Sequence, residues 1–207
     1  MNNRQIIQFS KFISVLFAPY YAPLWVLMWT FFFCYWLSLS VYSVVQIFVL
    51  VLFTTVIIPR AIIDMFRVGK NWTHIQLAHR EHRHLPYVIM VLGYGTCLTL
   101  LTMQNAPMCI RGVVLTALVS QMICVIVNVF WKISTHMVGM GGLVGALIAF
   151  SLEFHFNPIF MLSILLLLSG VVGTARMVLR QHSLAQIFTG FIVGYLCALI
   201  FIMVSWF

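Results

Sequence analysis

Charge is scarce in this sequence, and acidic charge is almost absent. Only 7% of the 207 residues are charged, and Asp and Glu together number 3. Soluble domains carry roughly 25% charged residues. No polar stretch is long enough to form a soluble domain, whereas 63% of the residues are hydrophobic. The sequence therefore excludes a soluble globular protein and predicts a single integral-membrane domain over residues 1–207.

Cysteine is too rare and too unevenly placed to cross-link the fold. The 5 cysteines are odd in number, and four of them lie inside apolar runs. A disulfide framework or a thiolate metal site is therefore not expected. We predict that these side chains are buried as small apolar groups.

The apolar runs predict an all-α, polytopic transmembrane helix bundle of six to seven helices. A run of ~20 apolar residues is long enough to cross a bilayer. The first run contains Pro19 and Pro23, which predict a kink or a split. The fifth is short and glycine-rich ("GMGGLVGA"), which favours close approach to a neighbouring helix. The predicted helices cover residues 12–37, 41–59, 86–103, 112–131, 137–153, 158–175 and 184–206.

One polar segment, residues 60–85, stands apart from the apolar runs, and its spacing predicts an amphipathic piece lying along the membrane interface. With seven crossings, this segment, "WKISTH" and "ARMVLRQHSLAQ" share one face with the N-terminus. Ten of the 11 Lys and Arg residues then lie on that face, Arg111 being the exception. The positive-inside rule places such a face in the cytoplasm. The net charge of +8 is thus assigned to anionic headgroups and cytoplasmic loops, not to nucleic acid.

The three polar clusters contain the groups that a phosphate site needs. Guanidinium groups match phosphate oxygens with charge-assisted hydrogen bonds. One imidazole is suited to attack phosphorus, and a second to protonate the departing alcohol. Helix ends hold such groups rigidly while lipid tails stay in the bilayer. The candidates are Arg80, Arg83, Lys132, Ser134, His136, Arg176, Arg180 and His182.

Two motifs carry a family resemblance. "ARMVLRQHSLAQ" places Arg176 and His182 as in SRxxxxxHxxxD, the third motif of the type 2 phosphatidic acid phosphatases, which share a fold with vanadium haloperoxidases. "ISTH" keeps Ser134 and His136 of their second motif, PSGH. The chain resembles this family over roughly residues 80–190, with the motifs in the same order and two helices between the second and third.

The first motif of that family, KxxxxxxRP, is matched only loosely by "HREHRHLPY". Arg83 precedes Pro86 by three residues, and Gln76 stands where the motif has lysine. The third motif also departs from the pattern, because Gln186 replaces the aspartate that orients the nucleophilic histidine. A glutamine oxygen can accept the ring N–H but brings no full negative charge. Smaller departures are Ala175 for serine, Ile133 for proline and Thr135 for glycine.

The resemblance implies a role for each matched residue. His182 would form a phosphohistidine, His136 would protonate the leaving alkoxide, and Gln186 would orient His182. No metal or other cofactor is implied, because the arginines stabilise the phosphate charge. Lys132 is a further candidate from its position, with membrane anchoring as the alternative. The expected phosphate-binding residues are Arg176, Arg83, Arg80, Ser134 and Lys132.

The expected function is that of a metal-independent phosphatase in a bacterial inner membrane, with its site facing the cytoplasm. Its expected substrate is a lipid phosphomonoester of the phosphatidylglycerol phosphate, phosphatidylinositol phosphate or phosphatidate type. One alternative is a polyprenyl (pyro)phosphate phosphatase, and another is a non-catalytic relative that binds or carries a lipid phosphate. A remote alternative is a membrane histidine-box oxidase, from the spacing of His79, His82 and His84.

Overall fold

A computed structural model describes residues 3–33, 39–70 and 84–205. Within these ranges the chain forms nine α-helices and no strand, which confirms the all-α prediction. The helices are α1 (Asn3–Leu16), α2 (Ala22–Phe33), α3 (Val41–Leu52), α4 (Ile58–Gly69), α5 (His84–Met103), α6 (Met108–Phe130), α7 (Thr135–Phe154), α8 (Ile159–Val178) and α9 (Leu184–Val204).

Seven helical stretches in the described ranges are long and apolar enough to cross a membrane, so the chain is an integral membrane protein. Helices α5 to α9 each provide one stretch. The first, Arg4–Phe31, joins α1 and α2, and the second, Val41–Gly69, joins α3 and α4. Two predicted boundaries were wrong: the first helix begins at Asn3 rather than at residue 12, and the second continues well beyond residue 59.

Pro19 splits the first stretch, as its sequence predicted. A 3₁₀ turn, Pro19–Tyr21, separates α1 from α2. Because proline has no N–H, the carbonyl four residues earlier loses its helical donor. The Ala18 N–H accordingly donates to Val15 O at 3.3 Å instead of to the carbonyl of Ser14. This leaves the Ser14 carbonyl outside the hydrogen-bond ladder of α1.

Pro59 does not end the second stretch, because a π-helical segment accommodates it. This segment, Phe53–Ile57, connects α3 to α4, and the Ile58 N–H donates to Phe53 O five residues earlier. Pro59 has no N–H to donate, and the wider π-helical turn before it accommodates this missing donor without ending the helix. The helix therefore runs on to Gly69, beyond the predicted end.

The part of the polar segment that the structure describes is helical and amphipathic. In α4, Asp64 lies between two arginines, with its carboxylate 3.9 Å from Arg60 and 3.4 Å from Arg67. The Asp64 carboxylate therefore forms ion pairs with both arginines of its own helix. Arg80 and Arg83 lie outside the described residues.

Helix α7 is the centre of the bundle. About 67% of its apolar window is buried, against 28–39% in the other six stretches. It packs most closely on α9, where a Cβ atom added at Gly141 would meet the backbone of Phe191, and one at Gly194 would meet that of Val138. The predicted close approach of the glycine-rich helix is confirmed. Its partner surface on α9 carries glycines of its own, Gly190 and Gly194.

The cysteines behave as small apolar side chains wherever the structure describes them. Cys97, Cys109, Cys124 and Cys197 are all buried and free. Cys34 falls outside the described ranges. The prediction of buried, unlinked thiols is thus confirmed for four of the five.

Candidate functional site

The turn between α8 and α9 carries Arg176 and His182, and backbone hydrogen bonds define its shape. The Gln181 N–H donates to Arg176 O at 3.0 Å, and the Arg180 N–H donates to Met177 O at 2.8 Å. This pair of bonds forms a Schellman motif, whose left-handed position is Arg180 with φ 52°. The motif places Arg176 in the last turn of α8 and His182 directly before α9.

A capping box begins α9 on the other side of this turn. The Ser183 hydroxyl accepts the Gln186 N–H at 3.5 Å, and the Gln186 side-chain oxygen accepts the Ser183 N–H at 3.2 Å. The backbone donor identifies this atom as the oxygen of the amide. The same oxygen lies 3.2 Å from Nδ1 of His182. Because it can only accept, Nδ1 carries the proton, and a neutral ring then has its lone pair on Nε2.

Arg176 is a buried cation whose guanidinium reaches α1. Only 9% of the residue is exposed, and Nη1 donates to the Ser14 hydroxyl at 3.2 Å. Ser14 is itself buried, on the face of α1 that packs on α8. The first helix therefore contributes to the candidate site, which the sequence did not predict.

His136 binds the same residue of α1 through the backbone. Its Nε2 lies 3.0 Å from the Ser14 carbonyl oxygen. This is the carbonyl that Pro19 leaves outside the ladder of α1. A carbonyl oxygen can only accept, so Nε2 of His136 carries a proton. Ser14 thus joins Arg176 and His136, which are 40 positions apart in the chain.

Ser134 lies fully buried at the N-cap of α7 without acting as a side-chain cap. A serine at this position usually accepts an N–H of the first helical turn. Here the hydroxyl has no hydrogen-bond partner among the residues that the structure describes. Lys132, two residues earlier, is half-buried in the connection from α6 to α7.

Close packing brings the start of α7 against both α8 and α9. A Cβ atom at Gly190 would lie 2.6 Å from the carbonyl oxygen of Ser134 and 3.3 Å from Cβ of Met137. One at Gly173 in α8 would lie 3.7 Å from Sδ of Met137. The residue after His136 therefore packs between the helices that carry Arg176 and His182. All three helix ends meet at one end of the bundle.

Ser134, His136, Arg176, His182 and Gln186 thus lie at the same end of the bundle. Arg176 and His136 share Ser14, His182 binds Gln186, and the start of α7, with Ser134, packs against Gly190. Arg80 and Arg83 are outside the described ranges, as are His79 and His82 of the histidine-box alternative. Among the residues covered by the structure, no three His, Cys, Asp or Glu side chains are grouped to hold a metal ion.

An open pocket lies between α1 and the end of α8. It encloses about 1030 Å³, and its polar lining includes Lys11, Ser14, Arg176 and Arg180. Lys11 and Arg180 are exposed, whereas Ser14 and Arg176 are buried. Exposed cations therefore surround a buried one, an arrangement that favours an anionic group.

Comparison of the chain with protein-family models, curated proteins and solved structures gave no match.

Proposed function

We propose that this protein is a membrane phosphatase that hydrolyses a lipid phosphomonoester, without a metal, through a phosphohistidine on His182. The observation that carries this proposal is the turn between α8 and α9. It buries a guanidinium and an imidazole six residues apart, and hydrogen bonds fix the backbone beside each. A turn that served only to connect two helices would not need either group to be buried.

In the proposed reaction, Arg176 binds the phosphate oxygens of the lipid. The N-terminal ends of α7 and α9 add positive potential from the same end of the bundle. Nε2 of His182 attacks phosphorus, and the bond from phosphorus to the lipid oxygen breaks. Protonated His136 donates its Nδ1 proton to the departing alkoxide, while its Nε2–H stays on the Ser14 carbonyl. Water then attacks the phosphohistidine, His136 takes a proton from it, and phosphate leaves.

Gln186 supports a second candidate function, a non-catalytic protein that binds or carries a lipid phosphate. The amide oxygen fixes the ring of His182, but it has no full charge to stabilise the imidazolium. In a serine protease, loss of the comparable carboxylate costs about four decades of rate. Binding through Arg176 would survive this change, because it does not require His182 to become charged.

Charge and size support a membrane side and a substrate class for the proposed phosphatase. The basic residues favour a site facing the cytoplasm of a bacterial inner membrane. Because residues 1–207 contain no polar stretch long enough to form a soluble domain that could bind a large headgroup, the best-suited substrates are small phosphomonoesters of the phosphatidylglycerol phosphate, phosphatidylinositol phosphate or phosphatidate type. A site on the outer side would favour a polyprenyl (pyro)phosphate.

Release of inorganic phosphate from a panel of these lipids, in the presence of a chelator, tests the proposal. His182→Ala is expected to abolish release. The matched control is His155→Asn, at the opposite end of α7, since asparagine tolerates the left-handed backbone found there (φ 52°). Equal release by His182→Ala and the unaltered protein would exclude His182 as the nucleophile.

Equilibrium binding separates the two candidate functions. The non-catalytic carrier would be favoured if the protein binds a lipid phosphate without hydrolysing it, and if Arg176→Ala abolishes this binding. Hydrolysis that requires both Arg176 and His182 would favour the phosphatase.

A further inference from the structure

Helix α1 has an unusual distribution of side chains. Its buried face carries the small polar residues Ser10 and Ser14 with Ile13, whereas Phe9 and Phe12 are exposed. Aromatic residues are expected to face outwards where the surroundings are lipid. The arrangement indicates an interfacial helix whose aromatic face lies in the bilayer and whose serine face covers protein.

The face of α1 that carries Ser10 and Ser14 covers Arg176. The pocket beside α1 is lined on the α8 side only by the last turn of that helix and the turn that follows it, from Arg176 to Gln181. On the α1 side it is lined by residues from Ile6 to Val15. Helix α1 therefore lies across the end of α8, where the candidate site is.

The two oxygens of Ser14 engage the two groups that the proposed function assigns to the substrate. The hydroxyl accepts from Arg176 at 3.2 Å, and the carbonyl lies 3.0 Å from Nε2 of His136. The hydroxyl is a neutral acceptor at the position that the proposed function gives to a charged phosphate oxygen, whereas the carbonyl keeps its bond to Nε2 of His136 in the proposed reaction. An anionic acceptor forms hydrogen bonds roughly twice as strong as a neutral one. A phosphate oxygen would thus replace the Ser14 hydroxyl on Arg176.

We propose that Ser14 is a placeholder for the phosphate, and that the headgroup enters the pocket between α1 and α8. This inference rests on the proposed assignment of phosphate to Arg176. Without substrate, the Ser14 hydroxyl accepts a hydrogen bond from Nη1 of the buried Arg176, and a hydrogen bond from a charged donor is more stabilising than one between neutral groups. The exposed Lys11 and Arg180 attract the headgroup, whose phosphate then displaces α1 from Arg176.

Binding of inorganic phosphate to the detergent-solubilised full chain tests the placeholder directly. Ser14→Ala removes the competing hydroxyl and keeps the carbonyl, so phosphate is expected to bind about fivefold more tightly. Ser14→Asp puts a permanent carboxylate beside Arg176 and is expected to weaken phosphate binding more than tenfold. Ser10→Ala, one turn earlier on the same buried face, is the matched control and should bind phosphate like the unaltered protein. Weaker binding by Ser14→Ala would show that Ser14 supports the phosphate, and would overturn the proposal.

Amide hydrogen exchange in α1 gives a second readout that does not require catalysis. Phosphate is expected to increase exchange in α1 of the unaltered protein, because the helix loses its hydrogen bond to Arg176. Increased protection of α1, or the absence of phosphate binding by both the unaltered protein and Ser14→Ala, would also overturn the proposal. If phosphate loosens α1 but no lipid is hydrolysed, the placeholder stands and the phosphatase fails. If lipids are hydrolysed while phosphate leaves hydrogen exchange in α1 unchanged, the phosphatase stands and the placeholder fails.

Discussion

The side-chain oxygen of Gln186 lies 3.2 Å from Nδ1 of His182 and also accepts the backbone N–H of Ser183 at 3.2 Å. One atom thus caps helix α9 and orients the imidazole beside it. Because the capping role needs an acceptor of this length at the third helical position, either Gln or Glu satisfies it. The charge of this side chain can therefore be changed while both contacts are kept.

Gln186→Glu is expected to accelerate phosphate release about tenfold. The carboxylate keeps the capping box and adds a charge that stabilises His182 as it becomes positive. Hydrogen bonds to charged groups contribute about 1.5–3 kcal/mol, against 0.5–1.5 for neutral ones, and 1.4 kcal/mol corresponds to a factor of ten. The measurement is the initial rate of phosphate release at a fixed lipid fraction.

Ser183→Ala is the control for this substitution. It removes the Ser183 hydroxyl from the capping box and leaves the Gln186 oxygen in place as the acceptor for His182. It should reduce stability by about 1 kcal/mol, with little change in rate. Slower phosphate release by Gln186→Glu than by the unaltered protein would contradict the proposed stabilisation of a positive His182, because it would mean that the added charge hinders this residue.

Gly194→Val should separate α9 from α7 and lower stability by about 1–3 kcal/mol, the usual range for overpacking. A Cβ atom at this position would meet the backbone carbonyl of Val138, which cannot move aside as a side chain would. Thermal unfolding in detergent measures the effect. Gly170→Ala in α8 is the control, because nothing lies within 4 Å of its added Cβ. A similar loss of stability in both variants would rule out the close contact as the cause.

Most of the bundle could be predicted because its signals are local. Length and hydropathy locate the seven stretches, and the glycines of "GMGGLVGA" identify α7 as a closely packed helix. The continuation of α4 through Pro59 could not be predicted in the same way. Proline usually ends a helix, and only the wider turn at Phe53–Ile57 shows how this one continues.

The candidate site was predictable where its residues form short motifs, as in "ISTH" and "ARMVLRQHSLAQ". Arg176, His182 and Gln186 lie within eleven positions and form one turn. Ser14 is more than a hundred positions away from its partners, and a single serine near the N-terminus has no recognisable motif. The available signal was the spacing of Ser10 and Ser14 on one face of a helix whose other face is aromatic.

Arg180→Gly is expected to stabilise the turn relative to Arg180→Ala by about 1–2 kcal/mol. Arg180 has φ 52°, a conformation in which a Cβ atom is strained and glycine is not. The difference in free energy of unfolding between the two variants isolates this backbone effect, since both lack the guanidinium. Their phosphate affinities should be equal and below that of the unaltered protein if the pocket receives the headgroup. Equal stability of the two variants would show that the turn relaxes to another conformation.

The C-terminus is expected on the opposite side of the membrane from the candidate site. Helix α9 begins beside His182, and its 21 residues span ~31 Å, enough to cross a bilayer of ~30 Å. At its far end, the Ser205 side chain would meet a Cβ atom at Gly112, near the start of α6. A reporter enzyme that is active only outside the cytoplasm should therefore be active when fused to the C-terminus and inactive when fused to the N-terminus. The reverse pattern would place Arg176 and His182 on the outer side, and a polyprenyl (pyro)phosphate would then become the better substrate to test.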